Sequence, residues 1–179
     1  MKNNPKETIR DLIPTDASVT ERPSQGDVIG RGQKQIQSQQ AAAEHLNRAV
    51  TALNARDYQK AIEEFQGALQ HNRESAEGHF YLGLTYFMVG EYENAVASYR
   101  QAIFCEPTDA TAHLNLGMTY QLLKRYDEAI QSYRRAIGLA PNHPEAYSRL
   151  GSAYAAQGKR EEAVAAYKEA IRLKLLSND

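Results

Sequence analysis

Three histidines recur at intervals of 34 residues and are the first candidates for chemistry in this chain: His45, His79 and His113. Imidazole nitrogens bind zinc at about 2 Å, so histidines that share a metal must converge on one point. If the interval marks a structural repeat, equivalent side chains rise in parallel from helices packed at least about 8–10 Å apart, and they do not converge. We therefore predict no metal site and expect each ring to pack between helices with a local hydrogen-bond partner. Protonation of such half-buried rings near about pH 6 is expected to loosen the packing.

The other reactive residues do not form a catalytic set. Cys105 is the only cysteine, which excludes a disulfide framework and a thiolate zinc site and suits a reducing compartment. It lies in an apolar stretch without a paired histidine and carboxylate, so we expect it to be a packing residue. The chain also lacks a glycine-rich phosphate loop, an HExxH motif and an EF-hand loop. We predict that the protein is not an enzyme and binds no cofactor.

Composition and charge restrict the partners that the protein can have. The 179 residues allow one domain, or two at most. With 21 basic and 22 acidic side chains the net charge is -1, which provides no general attraction to nucleic acid or to an anionic membrane. No apolar run approaches the roughly 18 residues that span a bilayer, and the first residues contain no apolar signal region. We therefore expect a cytoplasmic protein that neither inserts into membranes nor binds nucleic acid.

The first part of the chain differs from the rest. Residues 1–32 contain prolines, glycines and few apolar residues, so we predict a disordered N-terminal extension. Within it, Ile9, Leu12 and Ile13 would share one face of a single helical turn. These three are either isolated aliphatic residues or a short docking motif that folds on a partner or on the protein's own groove. From Gln33 the sequence becomes strongly helix-forming, and we place a folded domain over residues 33–179.

The folded domain consists of an internal repeat. One set of apolar residues occurs four times at steps of 34 residues without insertion: Ala61, Ile62, Phe65, Ala68, Leu69; Ala95, Val96, Tyr99, Ala102, Ile103; Ala129, Ile130, Tyr133, Ala136, Ile137; Ala163, Val164, Tyr167, Ala170, Ile171. A Leu-Gly-x-x-Tyr signature precedes the last three copies, at Leu82, Leu116 and Leu150. The apolar steps of three and four predict two short amphipathic helices in each unit, which are stable only when they pack together.

Each recurring position has an expected role. The small residues at 49, 83, 117 and 151 are expected where two helix backbones approach closely, and the aromatic residues at 65, 99, 133 and 167 are expected to fill the space between units. Gly90 and Gly158 are predicted to end first helices. Ser75 and Asp109 are predicted N-caps, and Pro144 suits a first helical turn.

These residues resemble the tetratricopeptide repeat, which has a 34-residue period. The resemblance covers about residues 42–177, as repeats 42–75, 76–109, 110–143 and 144–177, and it implies an all-α, right-handed α-solenoid of stacked antiparallel helix pairs. The chain departs from the family where it has His45, His79, His113 and Tyr147 in place of a large apolar residue. The first unit lacks the Leu-Gly and Tyr positions, as expected of a terminal repeat. The end of the chain shows no capping helix, so Leu173, Leu175 and Leu176 are expected to be partly exposed or buried in a second subunit.

In the resembled family the first helices line a concave groove that binds a peptide or a helix of another protein. By register, the groove residues here are Leu46, Val50, Leu53, Phe80, Leu84, Phe87, Met88, Leu114, Met118 and Leu122. This mostly apolar set predicts an adaptor or scaffold that binds an amphipathic helix or an extended peptide, although part of the set would serve equally well as core. Four of the five matching positions, all except Asn115, lack the Lys, Arg and Asn with which some members hold a terminal carboxylate. The alternatives are a chaperone like those of bacterial secretion systems, and a scaffold that self-assembles through its uncapped C-terminal end.

Overall fold

The structure is a computed structural model that describes residues 25–177, with side chains from residue 29 onward. The proposed docking motif at Ile9, Leu12 and Ile13 lies outside the described residues. The chain divides into two units, residues 1–35 and 36–179, and the contacts discussed below lie within the second unit.

Every secondary-structure element of the described chain is an α-helix. The helices are α1 (Gln25–Asn54), α2 (Tyr58–His71), α3 (Ala76–Met88), α4 (Tyr92–Cys105), α5 (Ala110–Leu122), α6 (Tyr126–Leu139), α7 (Pro144–Ala156) and α8 (Arg160–Leu176). From α2 to α8, each helix packs against the next one along the chain, and first helices of neighbouring repeats also touch. The predicted all-α solenoid of stacked helix pairs is confirmed. Within residues 29–177, no helix is both long enough and apolar enough to cross a membrane.

Helix α1 begins earlier than the sequence predicts. Residues 25–32 were assigned to a disordered extension, but they are helical and include two glycines, Gly30 and Gly32. Extending an existing helix adds one hydrogen bond for each residue fixed, whereas starting a new helix is unfavourable. The Gln- and Ala-rich stretch that follows therefore supports a helical start with poor helix formers in it.

The helix ends follow the predicted capping residues. Ser75 accepts a hydrogen bond from the backbone N–H of Gly78 at 3.0 Å, and Asp109 accepts two from the next helix, at 2.8 and 3.1 Å. Pro144 occupies the first turn of α7, and Gly90 and Gly158 have φ of 83° and 77° after their helices. These predictions are confirmed. Glycine suits the two turns because it adopts a left-handed backbone conformation most easily.

Two further turns adopt the same conformation without glycine. Arg56 and Lys124, one repeat before Gly90 and Gly158 respectively, have φ of 60° and 59°. A side chain in this region is unfavourable. The repeat therefore imposes its turn on the first and third units against the local preference of the residues there.

The core explains why glycine recurs in the Leu-Gly-x-x-Tyr signature. At Gly117, an added Cβ would lie 2.6 Å from Cε1 of Tyr133, a side chain that is completely buried. Gly83 stands in the same relation to Tyr99. The small residue was expected where two backbones approach, but what approaches it is the aromatic ring of the second helix in the same repeat.

Candidate functional site: the face of the first helices

The ten predicted groove residues divide into three groups by burial. The half-buried members pack against one of two core clusters: Leu46, Val50, Leu53, Phe80, Phe87 and Met118. Leu84 is also half-buried. Met88 and Leu122 are 50% and 51% exposed, although they are large hydrophobic side chains. The predicted set needs one correction. Leu114 is only 8% exposed, so it belongs to the core and has little surface to offer a partner.

An apolar cleft of about 300 Å³ lies at the third repeat, where α3, α5, α6 and α7 meet. Phe87, Met118 and Leu122 supply its apolar walls, and Ala156 extends it toward the last repeat. Arg149 stands at the same cleft and is paired with Glu145 on its own helix at 3.1 Å. An apolar anchor with a polar group at its edge is the chemistry by which a groove holds a peptide side chain in one orientation.

The polar side of the cleft is held in place by a chain of hydrogen bonds. The hydroxyl of Tyr133 donates to Oε1 of Gln121 at 2.8 Å, and Nε2 of Gln121 donates to Oγ of Ser152 at 2.9 Å. These bonds join α5, α6 and α7, so the Gln121 amide is fixed before any ligand arrives. Burial raises the pKa of Tyr133, so the phenol remains a neutral donor.

Sequence reasoning missed part of this cleft. Gln121, Tyr126 and Arg149 also line it, but the prediction selected apolar residues only. Gln121 lies three residues after Met118 and so shares its helix face, which made its register available as a signal. The contribution of Tyr126 depends on the angle between α5 and α6, which a repeat pattern does not specify.

The first of the three histidines lies at a polar contact between α1 and α2. Nδ1 of His45 lies 2.7 Å from Oε2 of Glu64, and Nε of Arg48 lies 3.2 Å from the same oxygen. The hydrogen bond with His45 and the nearby Arg48 charge lower the pKa of Glu64, against the effect of burial. The His45 ring lies against Gly67, where an added Cβ would come within 2.8 Å of Nδ1.

The other two histidines each bond to the loop that precedes their helix. Nε2 of His79 lies 3.0 Å from a backbone carbonyl oxygen, and Nε2 of His113 lies 3.2 Å from the backbone carbonyl oxygen of Pro107. Burial lowers the pKa of His113; Arg135 acts in the same direction, while the carbonyl bond and Asp109 oppose it. Each of the three rings thus has its own local partner, as predicted. In residues 29–177, no group of three or more His, Cys, Asp or Glu side chains is arranged to hold a metal ion.

The C-terminal end of the stack exposes a face that every inner repeat covers. Tyr167 is 37% exposed, whereas its equivalents Phe65, Tyr99 and Tyr133 are completely buried. Ile171 is 60% exposed and borders a cleft of about 990 Å³ between α7 and α8. The expectation of exposure holds for Leu175 and Leu176, but Leu173 is buried.

Helix pairs repeated at one interval define an α-solenoid repeat protein, and comparison with known families specifies which kind. Two tetratricopeptide repeat models match the chain, over residues 46–110 and 108–175. The chain belongs to the tetratricopeptide repeat family. Proteins of this fold are interaction modules and are typically not catalytic, so the protein is an interaction scaffold by architecture.

Solved structures agree with this assignment. A crystal structure of MamA is 27% identical, with a TM-score of 0.76 over 86% of this chain and 90% of the other. MamA residues 41-end from Desulfovibrio magneticus RS-1 are 18% identical, with a TM-score of 0.74 over 77% and 78% of the two chains. The first TPR of Spaghetti (RPAP3), bound to the HSP90 peptide SRMEEVD, is 19% identical, with a TM-score of 0.65 over 67% and 95%. The last two likenesses show the fold alone. Among curated proteins, none matches this chain.

Proposed function

We propose that the protein is a non-catalytic adaptor whose first-helix face binds an amphipathic helix or an apolar peptide of another protein. The observation that carries the proposal is the cleft at Phe87, Met118 and Leu122, with Met88 exposed at the position equivalent to Leu122 in the preceding repeat. Burying one such side chain fully is worth roughly 1.5–3 kcal/mol, so two or three anchors suffice for micromolar binding after the costs of ordering. The thioether of methionine adapts to different anchors.

The fixed Gln121 amide and Arg149 give this groove a direction. An apolar side chain of the ligand in the cleft would bring the ligand's backbone or a neighbouring carboxylate toward these two groups. Because Arg149 already has a partner in Glu145, a ligand carboxylate would compete for it, and the gain would be modest. The apolar anchors therefore supply most of the affinity, and the polar groups select the orientation.

The test compares one substitution on two faces. Leu122→Arg places a charge in the cleft, and Leu175→Arg places the same charge on another exposed leucine, at the C-terminal end. Both replace exposed side chains, so both proteins should fold, which circular dichroism checks. Partners captured from a lysate by the wild-type protein are mapped to a segment, and the affinity of that synthetic segment is measured by fluorescence anisotropy. Loss with Leu122→Arg and retention with Leu175→Arg is expected; equal affinity for all three proteins would contradict groove binding.

The exposed C-terminal face favours a second candidate function, self-assembly through that face. Val164, Tyr167 and Ile171 are 51%, 37% and 60% exposed, whereas their equivalents in the inner repeats are buried or half-buried. A second copy would bury them, as a neighbouring repeat does. Sedimentation over a range of concentrations should show association that Ile171→Arg abolishes and Leu122→Arg preserves. A monomer at all concentrations would contradict this candidate without affecting the first.

A further inference from the structure

The most exposed aromatic residue of the described chain lies outside the predicted groove, in clefts that share no residue with the groove cleft. Phe104, near the end of α4, is 80% exposed. Its equivalents one repeat away are Gln70 and Gly138, and Arg172 follows two repeats later, so the repeat does not require an apolar residue at this position. Packing therefore does not explain Phe104.

Two clefts meet at this phenylalanine. One, of about 730 Å³, lies between α3 and α4, and the other, of about 650 Å³, lies among α4, α5 and α6. Phe104 and Arg100, one helical turn apart on α4, line both clefts. Together they form a ridge with a groove on each side, which we call the Phe104 ridge.

The second cleft carries an excess of positive charge. Its lining includes the guanidinium groups of Arg100, Arg125 and Arg135 but a single carboxylate, that of Glu128. Glu128 pairs with Arg125 at 2.9 Å. Across the part of the chain that the structure describes, neither Arg100 nor Arg135 takes part in an ion pair. His113 also lines the cleft, and its Nε2 lies 3.2 Å from the Pro107 carbonyl oxygen.

Comparison between repeats shows that Arg100 does not make a hydrogen bond that its equivalents in the neighbouring repeats make. Gln66 donates from Nε2 to the hydroxyl of Tyr86 at 3.0 Å, and Arg134 donates in the same way to Tyr154. The corresponding partner of Arg100 is Tyr120, but the Arg125 guanidinium covers that ring at 4.6 Å from its centroid. The second junction thus leaves a guanidinium free beside an exposed phenylalanine, which neither flanking junction does.

We propose that the Phe104 ridge binds an acidic segment of a partner protein, with an apolar side chain against Phe104 and carboxylates at Arg100 and Arg135. Guanidinium groups bind carboxylates through strong, charge-assisted hydrogen bonds, and an exposed aromatic ring supplies the apolar contact. Charge complementarity selects this occupant: two unpaired cations match a short acidic segment. Nucleic acid is disfavoured because tight binding to its backbone takes a larger number of cations. This site is independent of the groove proposed above, so a partner at one face leaves the other open.

The repeat itself supplies conservative test variants. Phe104→Gly introduces the residue found at position 138, and Arg100→Gln introduces the residue found at position 66, so both are compatible with the fold. A library of displayed random peptides is selected on the wild-type protein, and the affinities of the selected peptides are measured by fluorescence anisotropy. We expect a class of peptides rich in Asp and Glu around one apolar residue. Their affinity should fall about tenfold or more with either variant, fall with added salt, and persist in Leu122→Arg.

Four results would overturn the proposal. The first is a selection that gives no peptide whose binding depends on both Phe104 and Arg100. The second is a set of dependent peptides that is no more acidic than the library. A single-stranded oligonucleotide probe that binds the wild-type protein and is lost with Phe104→Gly would assign the ridge to nucleic acid. Concentration-dependent self-association that disappears with Phe104→Gly would assign it to a second copy of the chain.

Discussion

Replacing Gly117 with alanine tests whether the close approach of the Tyr133 ring governs packing within a repeat. The added Cβ would lie 2.6 Å from Cε1 and 2.7 Å from Cδ1 of Tyr133. Because Tyr133 is completely buried, its ring cannot turn away from the added Cβ into solvent. Overpacking of this kind costs about 1–3 kcal/mol. Alanine also favours a helix over glycine by about 1 kcal/mol, so the net loss of stability should be about 0–2 kcal/mol.

Two matched substitutions separate these opposing effects. Gly138→Ala, near the end of α6, meets no atom within 4 Å, so it should be stabilising or neutral. Gly151→Ala places its Cβ 2.9 Å from the Tyr167 ring, which is partly exposed and able to shift. We therefore expect Gly117→Ala to be the least stable of the three, Gly151→Ala to be intermediate, and Gly138→Ala to be the most stable.

Urea unfolding followed by circular dichroism measures this order, and thermal unfolding should show it as about 2–4 °C for each kcal/mol. If Gly117→Ala is as stable as Gly138→Ala, the contact with Tyr133 does not limit the packing, and the explanation of the Leu-Gly signature fails. A displaced Tyr133 would also lose its hydrogen bond to Gln121, so binding in the cleft should weaken in the same variant.

Three further predictions use the same measurement. Burial lowers the pKa of His113 below its ordinary value of 6.5, so the folded chain favours the neutral ring. The free energy of unfolding should therefore decline as the pH falls below 6.5, and His113→Gln should flatten that decline. A pH profile unchanged by the substitution would contradict this. Asp109→Ala should cost about 0.5–2 kcal/mol because it removes two hydrogen bonds to the start of α5, whereas His143→Ala, at an N-cap with no side-chain bond, should cost much less; equal effects would refute the capping role. Tyr133→Phe should cost about 1 kcal/mol, while Tyr99→Phe should be neutral or stabilising, because the buried Tyr99 hydroxyl has no hydrogen-bond partner in the described chain; the reverse order would contradict this assignment.

Much of the fold follows from the sequence because the same packing problem is solved four times. Each repeat must bury one aromatic ring beside a small residue, so the period, the helix pairs and the caps at Ser75, Asp109 and Pro144 are all visible as spacing. The turns at Arg56 and Lys124 are not visible, because neighbouring repeats impose their conformation. The start of α1 at Gln25 is not visible either, since local composition there favours a break and helix propagation overrides it.

The candidate sites were less predictable, and the reason is geometric. Register places ten residues on one helix face, but it does not distinguish Leu114, which the core covers, from Leu122, which remains exposed. The difference depends on the packing angle of neighbouring helices, which the repeat pattern does not encode. The exposure of Phe104 was not predicted, although its register carried a signal: Gln70 and Gly138 occupy the equivalent positions of the neighbouring repeats.

A repeat protein gives an internal comparison that separates the residues for folding from the residues for binding. Positions that keep one residue type in every unit, such as the aromatic at 65, 99, 133 and 167, are explained by packing. Positions that change from unit to unit are free to serve a partner, and an exposed apolar residue at such a position has no structural reason to be retained. The positions equivalent to Leu122 hold Asn54, Met88 and Ala156, and those equivalent to Phe104 hold Gln70, Gly138 and Arg172. Phe104 therefore differs from all of its equivalents, whereas Leu122 shares its exposed apolar character with Met88 alone. A scaffold with two such surfaces can hold two partners at once.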